Sequence, residues 1–300
     1  MLKIEKYAAI DIGSNAIRLL IETAIEKDNE PAKFKKTSLV RVPIRLGADV
    51  FTSKMISDDN YLRMVDSLNA YKLLMKTHHV VKYKACATSA MREAENGASI
   101  ASKLYEDTGI IIDIIDGVEE AEIIASTDIN AYLQKDKAFL YVDVGGGSTE
   151  FTVIDRGEKI ASRSFKLGTV RLINNLVKDN LWLDVKDWVK TNTKDHQKIS
   201  LLGTGGNINS VYKSSLVRIG KPLKFKYLKS YYKEMKSISF EDRIATHLLN
   251  PDRADVIVPA LKIYISAMKW SNAKQIYVPK IGLSDGIIRS LYNEKKLTIG

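Results

Sequence analysis

The hydrophobic and polar positions of this chain form two similar series of predicted strands and helices. Short runs in which apolar and polar residues alternate indicate strands, and apolar residues that recur every three or four positions indicate helices. The first series predicts a strand–turn–strand unit at 7–24, strands at 36–47, 79–90 and 109–116, and helices at 59–77, 97–107 and 118–133. The second predicts a strand–turn–strand unit at 139–156, strands at 158–168, 198–203 and 275–279, and helices at 169–178, 184–193, 205–214, 226–270 and 284–294.

Both series therefore have three strands joined by short connections, followed by alternating helices and strands. Short turns give antiparallel pairs, whereas helical crossovers give parallel pairs. We predict an α/β fold of two lobes, each a mixed five-stranded sheet flanked by helices, with a cleft between them. The expected lobes are residues 1–125 and 126–300, and the last helix, 284–300, could pack back on the first lobe.

Composition and charge narrow the class of protein. Apolar residues make up 45% and charged residues 27% of the 300 positions, which are globular values. No stretch reaches the roughly 18 apolar residues of a membrane span, and the single Cys86 cannot form an intramolecular disulfide. We therefore expect a cytoplasmic protein without a membrane partner. The net charge of +10 favours polyanionic ligands.

Each strand–turn–strand unit contains an aspartate followed by a turn of small residues, Asp11 in the first unit and Asp143 in the second. The backbone N–H groups of such turns converge on one point and suit phosphate oxygens, and nearby hydroxyl groups add further donors. A third glycine-rich turn, LLGTGGN at 201–207, precedes a predicted helix N-terminus, which also attracts anions. The candidate phosphate ligands are Gly13, Ser14, Asn15, Gly145, Gly146, Gly147, Ser148, Thr149 and Gly205.

The aspartates before the turns need a separate explanation, because a carboxylate repels phosphate unless a divalent cation lies between them. Mg²⁺ binds through one or two carboxylates together with phosphate oxygens and water. We predict that Asp143, Glu150 and Asp11 are direct or water-mediated ligands of Mg²⁺, for which Mn²⁺ could substitute. Turn capping alone would explain either aspartate by itself.

Two other segments carry charged side chains near predicted strand ends. Arg92 follows the strand at 79–90, a position where sites in such sheets tend to lie. Glu119 and Glu120 begin the helix at 118–133, where acidic residues also complement the helix dipole. Of these two glutamates, one could be structural while the other points into the cleft.

These motifs, in this order, resemble the exopolyphosphatase and guanosine pentaphosphate phosphatase family of the actin, Hsp70 and sugar-kinase superfamily. The matching segments lie between residues 11 and 288 and include DIGSNAIRLL, RLGADV, ATSAMREAENG, IIDGVEEAEII, DVGGGSTEF, SFKLGTVRL, LLGTGGN, RADVIVPAL and GLSDGII. The resemblance implies two ribonuclease-H-like lobes, with Glu120 as the general base that activates water. It also implies Arg92 beside the transferred phosphoryl group and Asp143 at the metal.

The family resemblance implies an exopolyphosphatase, a phosphoanhydride hydrolase that depends on Mg²⁺ and releases orthophosphate from polyphosphate. The nearest alternative is the same hydrolysis at the 5′ end of guanosine pentaphosphate. A kinase that uses ATP and a non-catalytic polyphosphate sensor are further alternatives, which the two glutamates and the intact glycine turn disfavour. A nucleic-acid partner is not expected, and a homodimer is compatible with the sequence. Longer family members carry additional C-terminal domains, so the preference for chain length stays open.

The stretch RIGKPLKFKYLKSYYKEMK, at 218–236, is strongly basic. It carries seven lysine and arginine residues against the single acid Glu234, with aromatic residues between them. Such a pattern is found in surfaces that bind single-stranded nucleic acid and equally in surface helices whose apolar face lies in the core. We also consider a role for these lysines in binding the tail of a polyphosphate chain.

Overall fold

The computed structural model describes residues 1–28, 30–125, 127, 137–196 and 198–299. The chain divides into two compact units, one formed by Met1–Thr127 with Ile281–Gly300 and the other by Asp128–Lys280. We call them unit 1 and unit 2. None of the helices in the described ranges combines the length and the apolar character needed to cross a membrane.

Unit 1 is built on a five-stranded mixed sheet with the order β3-β2-β1-β4-β5. Its strands are β1 (Leu2–Ile12), β2 (Ile17–Lys27), β3 (Lys33–Val42), β4 (Lys82–Ala87) and β5 (Ile112–Ile114). The first three strands are antiparallel, and β4 and β5 continue the sheet in parallel with β1. Its helices are α1 (Leu46–Ser53), α2 (Asp58–Thr77), α3 (Ser89–Glu93), α4 (Gly97–Thr108), α5 (Gly117–Ala125) and the C-terminal α13 (Leu283–Ile299).

Local sequence signals explain several of these elements. From Tyr7 onward, β1 is buried at every position, which is typical of a central strand covered by helices on both faces. Ser57 caps α2 by accepting a hydrogen bond from the Asn60 N–H group. Helix α4 ends at Gly109, which adopts the left-handed conformation with φ 72°.

Unit 2 repeats this arrangement on a six-stranded mixed sheet with the order β10-β11-β9-β6-β7-β8. Its strands are β6 (Ala138–Val144), β7 (Thr149–Asp155), β8 (Glu158–Phe165), β9 (Ile199–Thr204), β10 (Leu223–Lys224) and β11 (Gln275–Tyr277). Its helices are α6 (Thr169–Ile173), α7 (Asp179–Thr193), α8 (Gly206–Ser214), α9 (Phe225–Ser237), α10 (Phe240–Ala245), α11 (Pro251–Ala254) and α12 (Ile257–Trp270). Helix α12 is the most deeply buried helix element in its hydrophobic core.

The predicted fold class is confirmed, since both sheets are mixed and the order β8-β7-β6-β9-β11 in unit 2 repeats the order β3-β2-β1-β4-β5 of unit 1. The sheet of unit 2 gains one strand over the prediction, the two-residue β10 at its edge. The single helical region predicted at 226–270 is wrong, because the chain forms four helices there. Ser239 caps α10, and Pro251 stands in the first turn of α11, so each starts a new helix.

Other boundaries also differ from the sequence prediction: the helix predicted at 169–178 ends at Ile173, and the strand predicted at 79–90 ends at Ala87. The strand predicted at 36–47 ends at Val42, and its last residues, Leu46 and Gly47, instead begin α1. The helix predicted at 118–133 corresponds to α5, which ends at Ala125, and most of the remainder lies outside the described residues.

Candidate active site

The glycine turn of unit 2 connects β6 to β7 and is held by the segment that follows β8. Three successive carbonyl groups of the turn accept hydrogen bonds from that segment: Gly145 O from Thr169 N at 3.0 Å, Gly146 O from Val170 N at 2.9 Å, and Gly147 O from Arg171 Nε at 2.8 Å. Arg171 is buried, so its guanidinium serves here as an internal clamp on the turn.

This clamp fixes the direction of the amide groups in the turn. In a trans peptide the C=O bond and the following N–H bond point in opposite directions. Since the carbonyl groups of Gly145, Gly146 and Gly147 face the clamp, the N–H groups of Gly146, Gly147 and Ser148 point away from it. Three neighbouring N–H donors on one side form the kind of concavity that binds phosphate oxygens.

Gly168, in the segment that follows β8, is in close contact with the backbone of the glycine turn. A Cβ atom on Gly168 would lie 2.2 Å from Gly146 O and 2.4 Å from the carbonyl carbon of Gly147. Gly168 has an extended backbone with φ −117° and ψ 161°, which any residue can adopt. Glycine is therefore required at 168 for space, so that one backbone segment can lie directly against the other.

Unit 1 repeats this construction at its own turn. Gly47 N donates to Ser14 O at 2.7 Å, and Arg45 N donates to Asn15 O at 3.2 Å. A Cβ atom on Gly47 would lie 3.1 Å from the backbone oxygen of Ser14. In both units a Leu-Gly segment, RLG at 45–47 and KLG at 166–168, thus lies against the turn, although the donors to the turn carbonyl groups differ. The Ser14 hydroxyl also bonds the hydroxyl of Ser89, at 2.8 Å.

In unit 2 the candidate carboxylates lie at the end of β6 and the start of β7. Asp143 and Glu150 are cross-strand partners. Glu150 is buried, and its Oε1 accepts hydrogen bonds from Ser148 Oγ at 2.6 Å and Ser164 Oγ at 2.9 Å. This oxygen of Glu150 therefore orients the Ser148 hydroxyl of the glycine turn.

Asp143 also meets the third glycine-rich turn. It pairs across the parallel strands with Thr204, and a Cβ atom on Gly205 would lie 3.2 Å from Asp143 Oδ1. Gly205 has φ 104°, a conformation that favours glycine. The structure therefore brings Asp143, Ser148 and Gly205 together at one edge of the unit 2 sheet.

The surroundings of Asp143 fit a hard cation. Burial raises the pKa of the Tyr141 and Tyr264 phenols well above the ordinary value, and the Asp143 carboxylate raises it further. Both phenols are therefore neutral, and neither adds a negative charge that would compete with the Asp143 carboxylate for a cation. A carboxylate beside amide N–H groups and hydroxyls suits Mg²⁺ bound jointly with phosphate, a mode that needs only one or two protein carboxylates. The described ranges contain no group of three acidic, histidine or cysteine side chains that could hold a metal ion, so the predicted ligand set of Asp143, Glu150 and Asp11 stays a prediction.

Asp11, the corresponding aspartate of unit 1, has a different environment. It is buried, and its Oδ2 accepts a hydrogen bond from Arg18 Nη1 at 2.9 Å. Burial raises the pKa of the Asp11 carboxyl group, and the Arg18 charge opposes that effect. Arg18 already places a positive charge beside the Asp11 carboxylate. A role for Asp11 as a ligand of a metal ion stays a prediction.

The candidate catalytic residues lie around the connection between β5 and α5 of unit 1. Arg92 Nη1 donates to Ile115 O at 2.6 Å, next to the start of α5. Asp116 caps this helix by accepting hydrogen bonds from the N–H groups of Val118 and Glu119, which lower the pKa of its carboxyl group. Glu120 follows in the first turn of α5 and is half-buried, whereas Glu119 is exposed.

The candidate residues therefore divide between the two units. Unit 1 carries Asp11, Gly13, Ser14, Asn15, Arg92 and Glu120, and unit 2 carries Asp143, Gly145, Gly146, Gly147, Ser148, Thr149, Glu150 and Gly205. Within unit 1 they follow the carboxyl ends of neighbouring strands, which are tied by the hydrogen bonds Thr88 N to Ile12 O and Ile115 N to Ala87 O. The cleft between the lobes and the roles assigned to these residues stay predictions.

Sequence reasoning missed one basic residue beside the third glycine-rich turn. The Arg253 guanidinium occupies the place where a Cβ of Gly206 would lie, 2.0 Å from both its terminal nitrogens. Arg253 Nη1 also lies 3.5 Å from Asn207 Oδ1. Arg253 belongs to the RADVIVPAL segment, but nothing in that segment indicates contact with a turn so far away in sequence.

Comparison with known proteins shows which proteins this chain is similar to. The bifunctional 3-dehydroquinate synthase/phosphatase of Fusobacterium nucleatum is 34% identical over 227 residues, which cover 68% of this chain and 34% of that protein. Exopolyphosphatase 2 of Mycobacterium tuberculosis is 31% identical over 175 residues, 56% of this chain and 53% of that protein. This chain thus spans between a third and about half of the length of these two curated relatives.

A solved structure of an exopolyphosphatase from Cytophaga hutchinsonii superimposes with a TM-score of 0.83 at 21% identity. The superposition covers 97% of this chain and 98% of that one, and it supports the two-lobed fold. The sequence model of the Ppx/GppA phosphatase family matches residues 27–295. With the fold, the paired glycine turns and this match in agreement, we conclude that the chain belongs to the Ppx/GppA phosphatase family.

Proposed function

We propose that this protein is an exopolyphosphatase that depends on Mg²⁺ and releases orthophosphate from the ends of inorganic polyphosphate. The observation that carries the proposal is the clamped glycine turn, which begins two residues after Asp143 and directs three N–H groups to one side. Its carbonyl groups are already held by the protein, so the turn needs no reorganisation to receive an anion. Preorganised donors of this kind are usually the largest contribution to catalysis of reactions that develop negative charge.

In this mechanism a water molecule attacks the terminal phosphorus in line with the bond to the bridging oxygen. A new P–O bond forms, the bridging P–O bond breaks with its electrons, and the shortened chain leaves. Glu120 accepts the proton of the water as general base, and Arg92 and the turn amides bind oxygens of the transferred phosphoryl group. Asp143 would hold Mg²⁺, which supplies neutralisation of phosphate charge when bound.

A second candidate is hydrolysis at the 5′ end of guanosine pentaphosphate. The guanidinium of Arg253 against the turn at Gly206 suits further phosphates of either substrate. Both candidates break the same type of bond, so they differ in what is attached to the terminal phosphates.

Release of orthophosphate from three substrates tests the proposal. Tripolyphosphate, long-chain polyphosphate and guanosine pentaphosphate are compared at equal concentrations of terminal phosphate, with Mg²⁺ and with EDTA. We expect Mg²⁺-dependent release with the highest kcat/KM on inorganic polyphosphate, and its loss in Glu120→Gln. A higher kcat/KM on guanosine pentaphosphate would favour the second candidate. Absence of release from all three, or transfer from ATP to an acceptor, would reject both.

A further inference from the structure

Four lysines of unit 2 form a line along the exposed side of α9, and we call them the lysine stripe. They are Lys226, Lys229, Lys233 and Lys236, spaced by three, four and three residues, which aligns them on one face of a helix. All four are exposed, whereas Leu228, Tyr231 and Met235 on the other side of α9 are buried in the core. The stripe spans the eleven residues from Lys226 to Lys236, a rise of about 15 Å along the helix axis.

The stripe is unfavourable for the helix that carries it. Like charges three or four residues apart repel each other. The helix dipole disfavours Lys226 in the first turn of α9 and favours Lys236 in the last turn, so the cost of the stripe comes from the repulsion between neighbouring lysines. The acid within the helix, Glu234, lies with its Oε1 3.5 Å from His247 Nε2. No stripe lysine forms an ion pair with another residue of the described ranges. An arrangement that costs stability and is not neutralised internally is consistent with binding an external anion.

The C-terminal end of the stripe is linked to the phosphate-binding edge of unit 2. Arg243 Nε donates to Met235 O at 2.8 Å, and Arg243 Nη1 donates to Ala254 O at 3.0 Å. Met235 precedes the last lysine of the stripe, and Ala254 follows Arg253, whose guanidinium lies against the turn at Gly206. One arginine side chain therefore joins the end of the stripe to the segment beside the third glycine-rich turn.

We propose that the lysine stripe binds inorganic polyphosphate, holding the part of a long chain that lies beyond the phosphates at the glycine turns. The idea that the same chain reaches the turns rests on the proposed function, but binding to the stripe does not. A linear polyanion matches a linear row of ammonium groups, and Lys is suited to it because an ammonium is a point charge without directional preference. Tripolyphosphate has no tail to reach the stripe.

Direct binding measured in EDTA tests the stripe without any turnover. The test variant replaces Lys226, Lys229, Lys233 and Lys236 with Ala, which retains helix propensity at exposed positions. The matched control replaces four exposed lysines of the same unit, which removes the same net charge: Lys178, Lys190, Lys194 and Lys198. Circular dichroism and Tm verify that both variants are folded.

We expect the stripe variant to weaken the binding of long-chain polyphosphate about tenfold or more, and the control variant less than about twofold. Counterion release gives a slope of log Kd against log salt of about 0.7 for each phosphate contact of a single-stranded polyanion. Loss of four contacts should therefore lower this slope by about 2 to 3 in the stripe variant only. Tripolyphosphate binding should change less than about twofold in both variants.

Several results would overturn the proposal. Equal weakening by the stripe and control variants would show a general effect of net charge. If the stripe variant weakened the binding of tripolyphosphate and of long-chain polyphosphate equally, the stripe would not be a site for the tail of the chain. Tighter binding of single-stranded oligo(dT) than of polyphosphate of matched charge, lost in the stripe variant, would assign the stripe to nucleic acid. A catalytically inactive protein that still shows the expected binding pattern would reject the proposed function and retain the stripe.

Discussion

Replacing Gly168 with Ala tests whether the backbone contact at the glycine turn matters for activity. The added Cβ atom would lie 2.2 Å from Gly146 O and 2.4 Å from the carbonyl carbon of Gly147. Real Cβ atoms essentially never approach other atoms within 3.0 Å, so one of the two segments must move by about 1 Å. The neighbours are backbone atoms, which cannot rotate away as the end of a flexible side chain could.

Either movement disturbs the turn, because the turn itself carries the three N–H donors and the other segment donates the clamp hydrogen bonds that hold it in place. A misplacement of about 1 Å at a reacting centre can lower the rate about 10²-fold. We therefore expect Gly168→Ala to lower kcat/KM for tripolyphosphate by about that factor. Overpacking of this kind also costs about 1–3 kcal/mol of stability, so the protein should remain folded in a thermal unfolding assay.

Gly157→Ala is the matched control in the hairpin between β7 and β8. Gly157 has φ 88°, and a Cβ atom there would have no heavy atom within 4 Å. Alanine at this φ is strained by about 1–2 kcal/mol, so the variant should lose stability but retain kcat/KM. If Gly168→Ala loses stability while its kcat/KM stays at the wild-type value, the position of the glycine turn does not control catalysis and the reasoning fails.

Three further predictions concern other parts of the molecule. Glu120→Gln should lower kcat about 10²–10⁴-fold through loss of a general base, whereas Glu119→Gln should have little effect; the reverse pattern in steady-state kinetics would exchange the two roles. Asp143→Asn should raise the Mg²⁺ concentration for half-maximal activity, and an unchanged titration would remove it from the metal site. Arg289→Ala should lower the free energy of unfolding by about 3–5 kcal/mol in denaturant titrations, because buried Glu22 loses its 2.6 Å partner. Burial raises the pKa of Glu22, so this deficit should narrow as the pH falls and Glu22 binds a proton; a deficit that is independent of pH would contradict it.

The elements that sequence reasoning predicted correctly depend on local signals. Short apolar runs define β1 and β6, and the small residues that follow them define the turns, so both repeats can be recognised without knowledge of the fold. The region 226–270 failed because its apolar periodicity continues across the breaks at Ser239 and Pro251. The two-residue β10 is too short to give any periodic pattern.

The candidate site was predictable only in part, for a related reason. The glycine turns are visible in the sequence because the special residues are adjacent. The residues that hold the turns, Gly168 and Gly47, act through contacts with segments more than twenty residues away. The repeated motifs RLG and KLG were a usable signal, but their purpose becomes clear only when the two backbones are seen in contact.

Helix α13 makes contacts with the rest of unit 1 that the sequence does not indicate, because they join residues far apart in the chain. Its residues return to unit 1 from the other end of the chain, where Arg289 meets Glu22 and Asp285 meets Lys36 at 2.6 Å. A Cβ atom on Gly286 would lie 2.1 Å from the backbone oxygen of Ile123 in α5, so the two helices are in direct backbone contact.

Helix α5 also carries the candidate general base, so the charged contacts of α13 support the element on which catalysis would depend. The exposed pair between Lys82 and Glu294 on the same helix offers a contrast, since surface ion pairs contribute about 0–1 kcal/mol. Lys82→Ala removes an exposed ion pair of α13, and Arg289→Ala removes a buried one. If both variants lowered the free energy of unfolding equally, the attachment of α13 to the rest of unit 1, and not its buried charges, would be what stabilises α5. The two variants therefore separate the effect of buried charge from the effect of helix attachment.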